Sequence, residues 1–442
     1  MLDIKYIKEH QALVRQAIRD KGIELDLAEL LQVREHFEKL DQQVDLLRQK
    51  RNKLSKAKDN EGQGDEGLRR ELARELNAEI KAKEAELRDL QIHYDQLMLL
   101  VPNPVLADVP VGKDDSDNVE LYKCGELRQF DFKPKDHYEL ACDLGLVDFE
   151  RARLVGGSRA YALKGQGILL EMAVLRLALD YLITRGFGLY APPIMVRPEI
   201  MEGTGYFPLG RENAYGLAKD AEYLTGTAEV GLVGMQADTV FDLEQLPLKI
   251  AGISPCFRRE AGAAGRDTRG LYRVHQFQKV EQVVIAPADL DIAKDLHYEI
   301  LGNAEAILTM LGLPYRVVAV CTGDIGQGQI FKHDIETYMP GRAGYGETHS
   351  CSLMGDFQAR RLGIRYKDRD GKKHLAYTLN NTAAATPRLL IPILEHYQNA
   401  DGTVTIPEVL RPYMGGKTLL ESSNMLLGLW LCLGCKTLIE RQ

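Results

Sequence analysis

The sequence predicts an α+β protein: a mainly antiparallel sheet flanked by helices, preceded by an antiparallel α-helical coiled-coil arm. Two changes of texture along the 442 residues carry this reading. Residues 26–100 contain no proline, keep glycine to one short break, and repeat apolar residues at helical spacing. From about 119 to 420 the chain changes to short β-branched runs, turn residues and intervening helical stretches. That mixture lacks the regular strand–helix alternation of a parallel doubly wound sheet.

The first 102 residues read as an N-terminal domain whose arm spans about 26–100. Leu30, Val33, Phe37, Leu40, Val44, Leu47, Arg51 and Leu54 step alternately three and four positions, which keeps one seam facing a partner helix. Arg51 is the polar intruder. After DNEGQGDEG (59–67), Leu72, Leu76, Ile80, Leu87, Leu90, Tyr94 and Leu97 form a second stripe, interrupted by Lys83 and ended by Pro102 and Pro104. Two stripes of matching length around a short polar break predict a hairpin within one chain rather than an intermolecular rod. At 1.5 Å per residue it would reach roughly 45–50 Å. Residues 103–118 (NPVLADVPVGKDDSDN) read as a linker, 119–420 as the sheet domain and 421–442 as a tail.

Composition is that of an ordinary globular chain, 45% hydrophobic and 27% charged, with a net charge of −8. This acidity argues against indiscriminate nucleic-acid binding and leaves room for a local basic patch. One is present. Arg48, Lys50, Arg51, Lys53, Lys56 and Lys58 approach the break in the arm, and Arg69, Arg70 and Arg74 leave it. A basic distal end suits a sugar-phosphate backbone, and a helical hairpin would meet A-form RNA through phosphates and the shallow minor groove. The seven cysteines are odd in number and scattered, so no disulfide framework is expected. MLDIKYIKEH carries charges where a signal peptide needs an apolar stretch, and MLLGLWLCL (425–433) is about half a membrane span. A cytoplasmic protein without membrane attachment is expected.

The usual nucleotide fingerprints fail. Arg411 stands where a P-loop ending in GGKT (415–418) needs glycine, and GQGQIF (326–331) lacks the last glycine of a dinucleotide loop. The stretch FRREAGAAGRDTRGLYRVHQF (257–277) offers another solution. LKIAGISPCFRRE reads as a strand, AGAAGRDTRG as a flexible loop and LYRVHQFQKVEQVVI as the returning strand. Alternation then puts Arg258 and Glu260 on one face of the first strand, and Arg273, Phe277 and Glu281 on one face of the second. A guanidinium for phosphate, a carboxylate for an amine and an aromatic platform for a base would share one surface. A salt-bridged exposed hairpin is the bland alternative, and it gives no reason for the glycines.

The same stretch resembles motif 2 of class II aminoacyl-tRNA synthetases. YLTGTAEVGL (223–232), YGETHSCSLMGDFQARR (345–361) and YTLNNTAAATPRLLIPILEHYQ (377–398) resemble segments of the seryl-tRNA synthetase family, and RGFGLYAPPIM (185–195) resembles its motif 1, which lies at the dimer interface. The resemblance runs in order over roughly residues 1–418, arm included. It implies a class II synthetase-type antiparallel catalytic domain and serine–tRNA ligase activity in a homodimer. L-serine and ATP would give seryl-adenylate and pyrophosphate. The seryl group would then pass to the terminal ribose of tRNA(Ser), held by the arm; tRNA(Sec) as a second acceptor is left open.

Residue roles are carried by that resemblance. It implies Arg258 and Arg388 as the catalytic arginines. The ATP site would comprise Arg258, Arg259, Glu260, the backbone at Val274, Phe277 stacked on adenine, Glu347, Thr348, His349, Ser350 and Arg388. Glu347 and Ser350 would hold Mg²⁺ with the nucleotide, as hard oxygen donors. Serine would meet Thr227, Ala228, Glu229, Arg258, Glu281 and Thr382. In TPR (386–388), Thr386 reads as a helix cap and Pro387 as its first turn, which puts Arg388 at a positive helix start suited to the γ-phosphate. His349 and Cys351 suggest zinc at first sight, but without regular spacing or a second pair no zinc is expected.

Two departures stand out: NNTA (380–383) where many relatives read N-G-S-G, and GETHS (346–350) where they read R-E-I-S-S. The hydroxyls at 382 and 350 and the acid at 347 survive. The tail SSNMLLGLWLCLGCKTLIERQ holds Trp430 and a Cys432/Cys435 pair. It reads as a terminal helix or extension, with a docking or metal role as the alternative. Two competing functions are an amino-acid:carrier-protein ligase on the same catalytic fold, disfavoured by the arm, and a non-catalytic tRNA-binding paralogue, disfavoured by the intact site residues.

Overall fold

The computed structural model describes residues 2–56, 66–262, 267 and 269–422. Lys58, most of the polar break in the arm, residues 263–266 and 268 of the glycine-containing loop, and Trp430 with the Cys432/Cys435 pair lie outside the described residues, as does the side chain of Lys56. The chain divides into two compact units, Met1–Pro104 and Val105–Gln442.

The first unit is helical: α1 (Ile4–Glu9), α2 (Gln11–Asp20), α3 (Leu27–Lys56) and α4 (Glu66–Leu100). Asp3 starts α1 by accepting from the Lys5 N–H at 2.7 Å. Ile7, Val14, Ile18, Leu27 and Leu30 pack with Tyr94, Leu97 and Met98 into a small core at the root of the hairpin. Further out the helices run antiparallel within one chain. Glu29 pairs with His93 at 3.0 Å, Gln43 accepts from Lys83 at 2.9 Å, and Arg48 reaches Glu84 at 2.8 Å. Leu40, Val44, Leu47 and Ile80 are buried in the seam, as the spacing predicts, while Leu72 is 41% exposed.

The second unit is built on an eight-stranded sheet: β1 (Val119–Cys124), β2 (Gly188–Tyr190), β3 (Leu248–Phe257), β4 (Gln276–Ala286), β5 (Tyr315–Ala319), β6 (Phe331–Met339), β7 (Gly344–Gly355) and β8 (Tyr377–Thr386). Their spatial order is β1-β5-β6-β7-β8-β4-β3-β2. Every pairing is antiparallel except β2 against β3. Helices α5 (Gln166–Thr184), α6 (Ala228–Gly234), α7 (Leu290–Met310), α8 (Phe357–Leu362) and α9 (Leu390–His396) surround it.

Alternation along β4 shows how the layers divide. Val280 and Val284 enter the main core with the apolar faces of α5 and α7, whereas Val283 and Ile285 pack with Ala228 and Leu232 of α6 and Ala359 of α8. The α6 layer covers only part of its face, and the rest is left open as a cleft. Of residues 103–118, read from sequence as a linker, those from Val105 on belong to this unit: Leu106 donates to the Ile330 carbonyl at 3.0 Å and Val109 is buried in the main core. An apolar side chain and a paired backbone make that stretch part of the domain surface.

Candidate active site

The open face of the sheet forms a cavity of about 280 Å³. Its floor comes from Phe277, Lys279 and Glu281 of β4, Asn380 and Thr382 of β8, Glu347, Thr348, Ser350 and Ser352 of β7, and Lys332 of β6. Two β-bulges set this constellation. Glu347 pairs with Glu336 while His349 pairs with Ile335, so Thr348 is an extra residue on β7. The extra residue lets Glu347, Thr348 and Ser350 all line the cavity, while Cys351 faces the core. On β8 a second irregularity falls between Thr382 and Ala384, and Ala383 turns into the core.

The arginine stretch differs from its sequence reading. β3 ends at Phe257 and β4 begins at Gln276, so Arg258, Glu260 and Arg273 lie beyond the strands and simple alternation does not place them. Arg258 is positioned by its own backbone, which donates to the His275 carbonyl at 3.0 Å. Its guanidinium sits 5.4 Å from the Phe277 ring centroid and donates to the Gly226 carbonyl at 3.4 Å. Glu260 takes a positive φ of 52°, uncommon for a side chain with a Cβ, and thereby reaches Arg273 at 3.3 Å. Arg273 also holds Asp267 at 3.2 Å, and Asp267 holds Arg342 at 2.7 Å.

Thr386 does not cap a helix. It ends β8 and donates its hydroxyl to Glu171 at 2.8 Å, while α9 starts at Leu390. The turn between them still brings Arg388 to the cavity. Its guanidinium lies 4.5 Å from the Tyr272 ring centroid, donates to the Glu347 carbonyl at 3.0 Å and stands 3.7 Å from the Glu347 carboxylate. Burial would raise the Glu347 carboxyl, but the fields of Arg388, Lys332, Arg258 and Arg273 more than offset it and hold it below the usual range. This side chain is 48% exposed to the cleft, so it is a charged wall open to a ligand.

Two other acids are treated differently by their surroundings. Glu281 is paired with Lys279 at 2.6 Å, both almost fully buried, and accepts from the Thr382 hydroxyl at 3.3 Å. Glu229 has only neutral donors in contact: Gln358 at 2.8 Å and Asn380 at 3.0 Å on one oxygen, Tyr206 at 3.0 Å on the other. Burial, with the Glu281 charge adding to it, pushes the Glu229 carboxyl up to about 7. A buried carboxylate ringed by neutral donors is a ready receptor for a ligand ammonium.

Among the described residues no three His, Cys, Asp or Glu side chains cluster as a metal site. Glu347 and Ser350 on one wall give a carboxylate and a hydroxyl oxygen. That small, hard donor set suits a magnesium ion taking its other ligands from phosphate and water.

Comparison with known proteins accords with this geometry. Residues 1–105 match the family model described as seryl-tRNA synthetase N-terminal domain, and residues 216–397 match the tRNA synthetase class II core domain (G, H, P, S and T). The serine–tRNA ligase of Deinococcus radiodurans is 48% identical over 420 residues, covering 95% of this chain and 99% of that one. The chain belongs to the seryl-tRNA synthetase family. The family's Rubrobacter xylanophilus member is 42% identical over 421 residues, covering 95% of this chain and 99% of its own. The Pyrococcus horikoshii seryl-tRNA synthetase crystallised with ATP superposes with a TM-score of 0.86 at 38% identity, covering 96% of this chain and all of that one. The Naegleria fowleri cytoplasmic enzyme in complex with AMP gives 0.82 at 28% identity, covering 96% of this chain and 99% of its own.

Set against the family reading, the cavity gathers Glu229, Arg258, Glu260, Val274, Phe277, Glu281, Glu347, Thr348, Ser350, Thr382 and Arg388. Thr227, Ala228, Arg259 and His349 are not among the lining side chains. Thr227 is buried and caps α6 by accepting from the Glu229 N–H, which aims that acid. Ala228 packs into the α6 core, Arg259 is exposed, and His349 is buried beside the Thr348 hydroxyl. Sequence reasoning missed Tyr206, Lys279, Lys332 and Asn380. Lys279 and Asn380 were within reach, because each sits two positions from an identified residue on its strand. Tyr206 and Lys332 carry no local signal.

Proposed function

We propose that this cleft activates serine with ATP and then transfers it to tRNA, with the residues acting as follows. As a member of its family the protein ligates serine to tRNA. The ammonium of serine meets Glu229, and its hydroxyl lies between Glu281 and Thr382. A site built to pair that hydroxyl rejects an analogue lacking it, because Glu281 would stay buried with one partner missing. Adenine stacks on Phe277 with Glu260 and the backbone at Val274 at its edge. Arg258 bridges the serine carboxylate and the α-phosphate, and Arg388 meets the γ-phosphate.

The chemistry then needs no protein nucleophile. The carboxylate oxygen of serine attacks the α-phosphorus, the bond to the β-phosphate oxygen breaks, and its electron pair leaves with pyrophosphate. Arg258 is fixed before reaction, so it stabilises the charge shifting across phosphorus without reorganising. Mg²⁺ between Glu347 and Ser350 would neutralise phosphate charge. The observation carrying this reading is the convergence of Glu229, Glu281, Arg258, Phe277, Glu347 and Arg388 on one cavity.

The same reading assigns the arm to tRNA(Ser), through Arg48, Lys50, Arg51, Lys53, Lys56, Lys58, Arg69, Arg70 and Arg74. Lys50, Lys53 and Arg74 are exposed, while Arg48 is shared with Asp45 and Glu84. A domain division at about 102–118 and a homodimer through the catalytic domain complete it. Support for the dimer comes from the exposed apolar residues Ile168, Leu169 and Met172 on α5 and Leu189, Tyr190 and Met195 in the motif 1 stretch. Among the described residues no helix is long and apolar enough to cross a membrane, and a cytoplasmic location accords with that.

ATP–pyrophosphate exchange across the amino acids, followed by charging of tRNA(Ser) with and without its long variable arm, tests the assignment. Serine alone should drive exchange and be transferred. Exchange without charging would favour the carrier-protein ligase, and absence of exchange would favour a non-catalytic tRNA-binding protein.

A further inference from the structure

We propose that His137, oriented by Glu395, is a positioning residue for ATP: it anchors the returning limb of the arginine stretch, so that Tyr272 holds Arg388 ready for the γ-phosphate. The inference deepens the reading of the cleft as the ATP site and rests on it. His137 begins the helix His137–Asp143, Glu395 lies on α9, and neither lines the cavity. The Glu395 side chain is 2% exposed and that of His137 15%. One Glu395 oxygen accepts from the His137 backbone N–H and from its Nδ1, both at 2.9 Å, and the other accepts from the Gly341 N–H at 2.8 Å. Across the imidazole, the Leu271 N–H donates to Nε2 at 3.2 Å. These partners fix the tautomer. A carboxylate accepts, so Nδ1 carries the hydrogen; a backbone amide donates, so Nε2 offers its lone pair. Gly270 makes the approach possible, because a Cβ there would overlap Nε2. The last glycine of AGAAGRDTRG thus makes room for an imidazole.

The anchored amide leads directly into the support of Arg388. The Tyr272 carbonyl accepts from the Arg388 Nε at 3.2 Å, and the Tyr272 ring centroid lies 4.5 Å from the guanidinium carbons of both Arg388 and Arg342. The Tyr272 hydroxyl donates at 3.3 Å to the Glu347 carbonyl, which also accepts from Arg388 at 3.0 Å. Glu395 holds Gly341 as well, the residue before Arg342. One buried carboxylate therefore steadies both segments that meet at Tyr272, from positions 137, 271, 341 and 395 of the chain. A guanidinium fixed before the nucleotide arrives loses little freedom on binding it, so this anchoring acts on ATP affinity.

The test compares H137N, H137Q and R388A with the full-length parent in serine-dependent exchange. Asparagine keeps a donor for Glu395 and loses the acceptor for Leu271; glutamine puts an acceptor near the Nε2 position and gives up that donor. H137N should raise the KM for ATP about tenfold, the size expected for one hydrogen bond, and leave the KM for serine unchanged. H137Q should recover most of that loss. Affinity for a seryl-sulfamoyl adenosine analogue, which has no γ-phosphate, is measured by calorimetry. It should match the parent in both variants, which also shows an intact cleft. A residue that merely steadied the fold would reverse the order and make H137N the milder change. That order, a parent-like KM for ATP in H137N, or an analogue affinity that falls as far as that for ATP would overturn the proposal. A parent without serine-dependent exchange, or R388A with a parent-like KM for ATP, would instead overturn the reading of the cleft on which it rests.

Discussion

The arm and the cleft use charge in opposite ways. Along the arm, Leu40, Val44, Leu47 and Ile80 are buried in the seam while ions sit at its edge. Arg48, for example, is about half exposed between Asp45 and Glu84. Exposed pairs of this kind contribute about 0–1 kcal/mol. On the floor of the cleft one ion pair is itself buried: Lys279 and Glu281 are 6% and 2% exposed at 2.6 Å separation. Removing one partner there strands the other, at a cost of about 3–5 kcal/mol. The arm can therefore trade its charged residues without losing its shape, while the Lys279–Glu281 pair of the cleft cannot give up one ion without stranding the other.

Four experiments would break or sharpen this contrast. Deleting residues 30–97 should abolish charging of tRNA(Ser) and leave serine-dependent exchange at the full-chain rate. Charging that survives the deletion would remove the arm's assigned role. Arg258→Ala should lower the exchange rate on the order of 10²–10³-fold, as loss of a preorganised charge at the reacting phosphate predicts, with circular dichroism unchanged.

Lys279→Met should destabilise the second unit by about 3–5 kcal/mol, read as a fall in denaturation midpoint, whereas Arg48→Ala should cost less than about 1 kcal/mol. Equal losses would erase the contrast. The pH profile of kcat/KM for serine gives the finest measure. Glu229, held at about 7, must be ionised to take the substrate ammonium, so the value should rise as pH increases to about 7 and level off above it. Tyr206→Phe removes a donor to that carboxylate and should move the bend to higher pH. A flat profile between pH 6 and 8 would exclude Glu229 as the amine receptor.

The two regions were also unequally legible in the sequence. The arm could be read because helical burial is periodic: Leu30, Leu40, Val44 and Leu47 mark the seam by spacing alone. The antiparallel sheet was legible as texture, though its strand order was not. In the cleft, long motifs identified Arg258, Phe277, Glu281, Glu347 and Arg388, and the structure brings all five to one cavity. What stayed hidden depended on chain separation or on breaks in regularity. Gln358 and Tyr206 meet Glu229 from distant segments. Glu260 depends on a left-handed backbone that no alternation rule anticipates. Thr386 obeys the tertiary pull of Glu171 in place of its capping preference.

The extra residue at Thr348 has a consequence for how this site tolerates change. Strand parity is a two-valued property, and one inserted position inverts it for everything upstream unless a bulge takes that position out of the pairing. Thr348 stands outside the pairing, so removing it would leave Glu347 opposite Glu336 and on the Ser350 face by plain alternation. Such a deletion would cost the wall one hydroxyl and the local twist of the bulge, while the carboxylate and hydroxyl on either side kept their common face.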